Sequence, residues 1–171
     1  MSRVLALIAV LLVFAAGAAG CGSKTITQTG ANGAVTTKTV SNIHFAKTKF
    51  VLHLGLAFGA FHRYIYKPYQ AGAFRSGAPG RVKAIVKAGS AALLAVHELK
   101  TAHEDALSDE HLRPLAEKVE QLLNRLTHLG GVFKGGSFDP AGVIGAAGAV
   151  STLGAASGAL GAVVKEVSPA L

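Results

Sequence analysis

The sequence predicts an all-α protein, roughly a four-helix bundle, standing behind a signal peptide and a flexible Thr/Gly-rich tether. Three observations predict it. Apolar residues recur at alternating spacings of three and four in separate stretches, the signature of one helix face. Clusters of Pro and Gly break the chain between those stretches. Alanine is plentiful and 21 of 171 residues are glycine, which suits helices packed closely. With one cysteine and no tryptophan, no disulfide is possible within the chain, so stability rests on packing.

The first helix is expected at about 42–66, with Ser41 or Asn42 as its N-cap. At 100° per residue, Ile43, Phe50, Leu54, Ala57, Phe58, Phe61 and Ile65 share one face. Pro68 is expected to end it, because proline disfavours helical geometry in the residue before it. The stretch "AGAFRSGAPG", 71–80, reads as a loop. The second helix is expected at about 80–107, led by Pro79. Its inner stripe reads Val82, Ile85, Gly89, Ala92, Val96, Leu99 and His103. "SDEHLRP" breaks the chain, and Pro114 predicts a kink or late start in the third helix.

That third helix is expected at about 112–129. Leu112, Leu115, Val119, Leu122, Leu126 and Leu129 keep a strict amphipathic spacing, and Gly130 suits a helix end. A loop is expected at 130–138. The fourth helix opens at Asp139-Pro140, a cap followed by a first-turn proline, and is expected at 140–167. Residues 140–164 carry no charge, so the helix is long enough to cross a bilayer. Six of those residues are glycine and eight are alanine, which contribute little transfer energy. Val143, Ala146, Val150, Leu153, Ser157, Leu160 and Val164 form a seam. Ala147, Ser151, Gly154, Gly158 and Gly161 form a small-residue flank beside it. Such a helix suits the middle of a tight bundle, which is the expectation. It also suits helix pairing in a membrane, which is the alternative.

The front of the chain differs from the rest. Arg3 precedes an apolar block from Val4 to Ala16, which is short of the ~20 residues a membrane span needs. A positive start, a short apolar core and small residues before a cut describe a secretory signal. Gly17, Ala18, Ala19 and Gly20 directly precede Cys21. This stretch resembles the lipobox of bacterial lipoproteins, with Ala18 in place of the usual leucine. The resemblance covers residues 1–21 only and carries no activity. It implies that residues 1–20 are removed and that Cys21 becomes a diacylglyceryl-bearing first residue. Residues 21–42 then read as a flexible tether. "TITQT" and "AVTTKTV" flank "GANG" there, a pattern compatible with a weak hairpin. The helical domain is expected at 43–171.

Charge is uneven along the chain. The first 97 residues hold eleven Lys or Arg and no Asp or Glu, whereas the remainder has six basic and nine acidic residues, a net of −3. The asymmetry predicts contact with an anionic surface, either lipid headgroups or a wall polymer. The candidate contact residues are Lys47, Lys49, Arg63, Lys67, Arg75, Arg81, Lys83 and Lys87. Tyr64, Tyr66 and Tyr69 interleave with them in "HRYIYKPYQ". An exported protein rarely meets nucleic acid, so none is expected as partner.

Seven histidines invite a metal or haem reading. His53 and His62 lie 180° apart around one helix, and His44 and His62 are ~27 Å apart along it. No HxxxH or HExxH pair presents two ligands on one helix. His53, His97 and His103 remain weak candidates for a site between helices, a less favoured reading. "HELKTAHEDALSDEH", 97–111, reads mainly as a solvated helix end. No serine elbow, phosphate-cradling loop or cysteine pair is present. Neither an enzymatic activity nor a cofactor is expected. The chain reads as a lipid-anchored component of the bacterial cell envelope, on the outer face of the cytoplasmic membrane. It is expected to act as a binding or structural module apposed to membrane or wall.

Overall fold

A computed structural model of the protein describes residues 23–29, 35–41 and 43–171. The expected signal peptide, Cys21 and Asn42 lie outside the described residues. The chain divides into two units, Met1–Asn42 and Ile43–Leu171.

In the first unit, β1 (Ser23–Thr29) pairs antiparallel with β2 (Val35–Ser41). The register sets Ser23 opposite Ser41 and Thr29 opposite Val35. The segment expected as a flexible tether thus contains a hairpin. Threonine, isoleucine and valine predominate in its strands, and β-branched side chains fit a pleated surface. Ser41 belongs to a strand and caps no helix.

The second unit is all-α, roughly a four-helix bundle: α1 (Ala46–Phe61), α2 (Arg81–Ser108), α3 (Ala116–Lys134) and α4 (Pro140–Ala159). Neighbours in sequence pack on one another. Phe50, Leu54, Leu99, Leu122, Leu126 and Leu153 are among the fully buried core side chains.

The first helix starts later than its apolar pattern suggests. Phe45 precedes it in a left-handed conformation, φ 59°, and is 81% exposed. The helical run also passes Pro68, where an end was expected. A π-helical segment, His62–Tyr66, widens the turn, and a closing turn follows at Lys67–Gln70. The Lys67 N–H reaches back five residues to the His62 carbonyl. Pro68 then stands at the start of a new turn, where its missing N–H costs little.

The second helix matches its expected span, but its inner stripe is shifted. Val82 is 74% exposed. The buried line instead runs Ile85, Ala88, Ala92, Ala95, Leu99, Ala102 and Ala106. Small side chains let the neighbouring helices approach closely. Pro114 produces the expected late start as a 3-10 turn, Arg113–Leu115. The α3 pattern holds in full, with Leu112, Leu115, Val119, Leu122, Leu126 and Leu129 all buried.

Two further helix ends differ from expectation. Helix α3 runs through Gly130 to Lys134, since Gly130 is buried against Ala92 inside the bundle. The loop expected at 130–138 shortens accordingly. Helix α4 stops at Ala159, eight residues early. Gly161 takes φ 68°, its N–H bonds to Gly158 and the Ala162 N–H bonds to Ser157. This is a Schellman ending, and glycine supplies the left-handed residue it needs. The seam positions Val143, Ala146, Leu153 and Ser157 are buried, whereas Leu160 is exposed. Helix α4 is long and apolar enough to cross a membrane by length and composition, with mean hydropathy 1.3, and only 22% of its apolar stretch is buried.

Residues 162–171 have no regular secondary structure and form a strap that lies against α1 around Lys165–Ser168 and reaches Tyr64 at its end. The Val167 N–H donates to the Gly55 carbonyl at 2.9 Å. A Cβ at Gly55 would overlap the Lys165 carbonyl oxygen, and one at Gly59 the Val167 carbonyl oxygen. These glycines, one turn apart, provide the groove for the strap's backbone.

Candidate functional site

The clearest concentration of charge lies where the α1 run ends and α2 begins. Arg63 and Lys67 are four residues apart on the first, and Lys83 and Lys87 are four apart on the second. The loop at 71–80 turns the chain back between them. Its Phe74 is 2% exposed and packs on Phe138 and Phe133, with ring centroids 4.9 and 5.6 Å away. The four cations line one groove of about 530 Å³. Pro68, Ala71, Ala73 and Ala84 supply apolar lining. No acidic residue is among the described residues lining it.

Tyr64 organises the groove wall. The residue is 9% exposed, and its hydroxyl donates to the Pro169 carbonyl at 2.9 Å. The same hydroxyl accepts from the Leu171 N–H at 3.2 Å. Arg63 Cζ lies 5.4 Å and Lys87 Nζ 5.7 Å from the ring centroid, within cation–π range. Lys87 Nζ also donates to the Leu171 backbone oxygen at 3.0 Å. The fixed ring thereby holds two of the four cations in place.

Other residues anticipated for an anionic surface lie elsewhere. Lys47 sits at the opposite end of α1, where its Nζ donates to the Leu160 carbonyl at 3.4 Å. Lys49, also exposed near that end, acts electrostatically on Asp105. Arg81 donates to the Phe74 carbonyl at 3.0 Å and fastens the loop. Arg75 lines a separate cleft with Tyr69 and Phe138. Tyr66 stacks on Phe61 with centroids 6.1 Å apart, and Tyr69 lies 5.8 Å from Phe138. The cations therefore fall into a groove set and a scattered set, not one continuous face.

The histidines do not converge. His97 is exposed and His103 half-buried, while His53 turns to carboxylates on α2. Its Nδ1 lies 2.6 Å from Glu98 Oε2, and its Nε2 lies 4.0 Å from Asp105 Oδ2. No group of three or more potential ligands is placed to hold a metal ion among the described residues. Glu98 and Asp105 are 8% and 1% exposed, contrary to the reading of 97–111 as mainly a solvated helix end. Burial pushes the Asp105 carboxyl up to about 6, while His53 and Lys49 pull it down and Glu104 raises it. Asp105 Oδ2 has no hydrogen-bond partner. The signal for this burial was the spacing Ala88, Ala91, Ala95, Glu98, Ala102, Asp105, in which two acids continue an alanine stripe.

A second polar pair joins the strap to the bundle. His62 Nδ1 lies 2.7 Å from Glu166 Oε2, with side chains 38% and 47% exposed. No family model, no curated protein and no solved structure matches the chain.

Proposed function

We propose that this is an exported bacterial lipoprotein, held at the membrane through Cys21, whose helical unit docks on an anionic surface of the cell envelope. Binding, rather than catalysis, is its role. The observation that carries the docking is the groove of Arg63, Lys67, Lys83 and Lys87. The front of the sequence supports export and anchoring. One acyl chain gives only marginal membrane binding, so the two or three on a lipoprotein cysteine make the anchor durable.

Vesicle co-sedimentation of a form lacking residues 1–21 tests the docking. It should bind vesicles containing phosphatidylglycerol and ignore vesicles of phosphatidylcholine. Added salt should weaken binding steeply, since charges beyond ~8 Å are screened at physiological ionic strength. Reversing Arg63 and Lys67 to Glu should weaken it by a few kcal/mol, at ~1 kcal/mol per charge removed or opposed. Equal affinity for both vesicles would defeat this reading.

A membrane-embedded protein is the second reading. It is favoured by the low burial of α4, on which Ile144 is 56% exposed. A Cys21→Ser chain that resists salt and yields only to detergent would establish it.

A further inference from the structure

The groove is two-natured. Its rim carries four cations, and its lining includes Pro68, Ala71, Ala73 and Ala84. A free phosphate ion would use only the rim. A long anionic polymer would need a charged track, yet Lys47 and Lys49 stand near the far end of α1. The small apolar lining suits a ligand that joins one anionic group to an apolar body. At about 530 Å³ the groove is large enough for a headgroup and the carbons next to it. The two ring contacts at Tyr64, 5.4 and 5.7 Å, hold Arg63 and Lys87 at the rim before any ligand arrives. Lys87 retains donors beyond the one given to Leu171, because an ammonium carries three.

We propose that this groove holds the phosphate of one anionic phospholipid, with the lipid's glycerol end against the apolar lining. The proposal rests on the surface-docking reading and narrows it to a site for a single lipid.

The test uses the full chain purified in dodecyl maltoside. The protein is mixed with dioleoyl phosphatidylglycerol or dioleoyl phosphatidylcholine, then passed through gel filtration in lipid-free detergent. Phosphorus per chain is counted, since a diacylglyceryl anchor carries none. About one phosphatidylglycerol should stay with each chain, with at least about tenfold less phosphatidylcholine. Lys67→Glu with Lys83→Glu should reduce the retained phosphatidylglycerol at least about tenfold. Lys118→Glu with Lys134→Glu, a charge-matched change on exposed α3 positions, should leave it unaltered. Circular dichroism checks that both variants fold.

Equal retention of the two lipids, or full retention in the groove variant, overturns the proposal. So does complete stripping of phosphatidylglycerol by millimolar inorganic phosphate, which would reveal a phosphate site indifferent to lipid. If the groove variant keeps its lipid but loses vesicle docking, the single-lipid site fails while the surface reading stands. If vesicle docking also persists in that variant, both fail.

Discussion

Replacing Asp105 by Asn should stabilise the protein at neutral pH. Asp105 is 1% exposed, and its Oδ2 has no hydrogen-bond partner. Its carboxyl is pushed from 3.8 up to about 6, chiefly by burial. A carboxyl raised on folding favours the protonated native state. Its ionisation therefore costs stability as pH rises through the interval between those values. Below about 4 the cost vanishes, and above about 7 it is complete. At about 1.4 kcal/mol per unit, the shift corresponds to about 3 kcal/mol. Asparagine does not ionise, so the variant should gain up to about 3 kcal/mol at pH 8 and close to none at pH 4. His53 remains paired with Glu98 in either case. Urea denaturation followed by circular dichroism at pH 4, 6 and 8 measures the difference in midpoint. Parallel pH profiles for the two proteins, or a less stable variant at pH 8, would refute the burial argument.

Intact mass of the membrane-extracted protein should show a chain beginning at a diacylglyceryl-bearing Cys21. An unmodified cysteine, or another starting residue, contradicts the anchor. Leu122→Asp should unfold the helical unit, because Leu122 is 1% exposed and an unpaired buried charge costs several kcal/mol out of about 5–15 in total. A native-like spectrum from that variant would show that α3 does not face the core. Gly59→Ala should expel the strap, since the added Cβ meets the Val167 carbonyl. Trypsin should then cut faster after Lys165 with the helices intact, and an unchanged cleavage rate would count against the strap's seat on α1.

The parts of the fold that the sequence made legible are those with bulky apolar side chains. Leucine and valine at strict spacing on α3 left one orientation open, and each of those residues is buried. Phenylalanine and leucine did the same for α1, where Phe50, Leu54, Phe58 and Phe61 are buried, and the face continues into the π-helical segment with Ile65. Helix α2 was harder because alanine faces both core and solvent at little cost. Its hydrophobic pattern admits more than one orientation, and the observed one carries Glu98 and Asp105 inward with the alanines. His53 answers Glu98 from 45 residues away, a relation that spacing along one helix does not encode. The end of α4 was legible in principle. Gly161 is the left-handed residue of a Schellman ending, but its place on a small-residue face masked that role.

The groove shows the same division between local and distant information. Its two pairs, Arg63 with Lys67 and Lys83 with Lys87, were visible as helix-face neighbours. Their meeting depends on the ten residues between Gln70 and Arg81. Those residues reverse the chain because Phe74 is drawn between Phe133 and Phe138, contributed by the end of α3 and the loop after it. The strap adds a further distant constraint. Tyr64 fixes the strap's end through Pro169 and Leu171, and the same ring steadies Arg63 and Lys87. The groove's charge is thus a property of two neighbouring helices, whereas its shape depends on segments 59 to 107 residues farther along the chain.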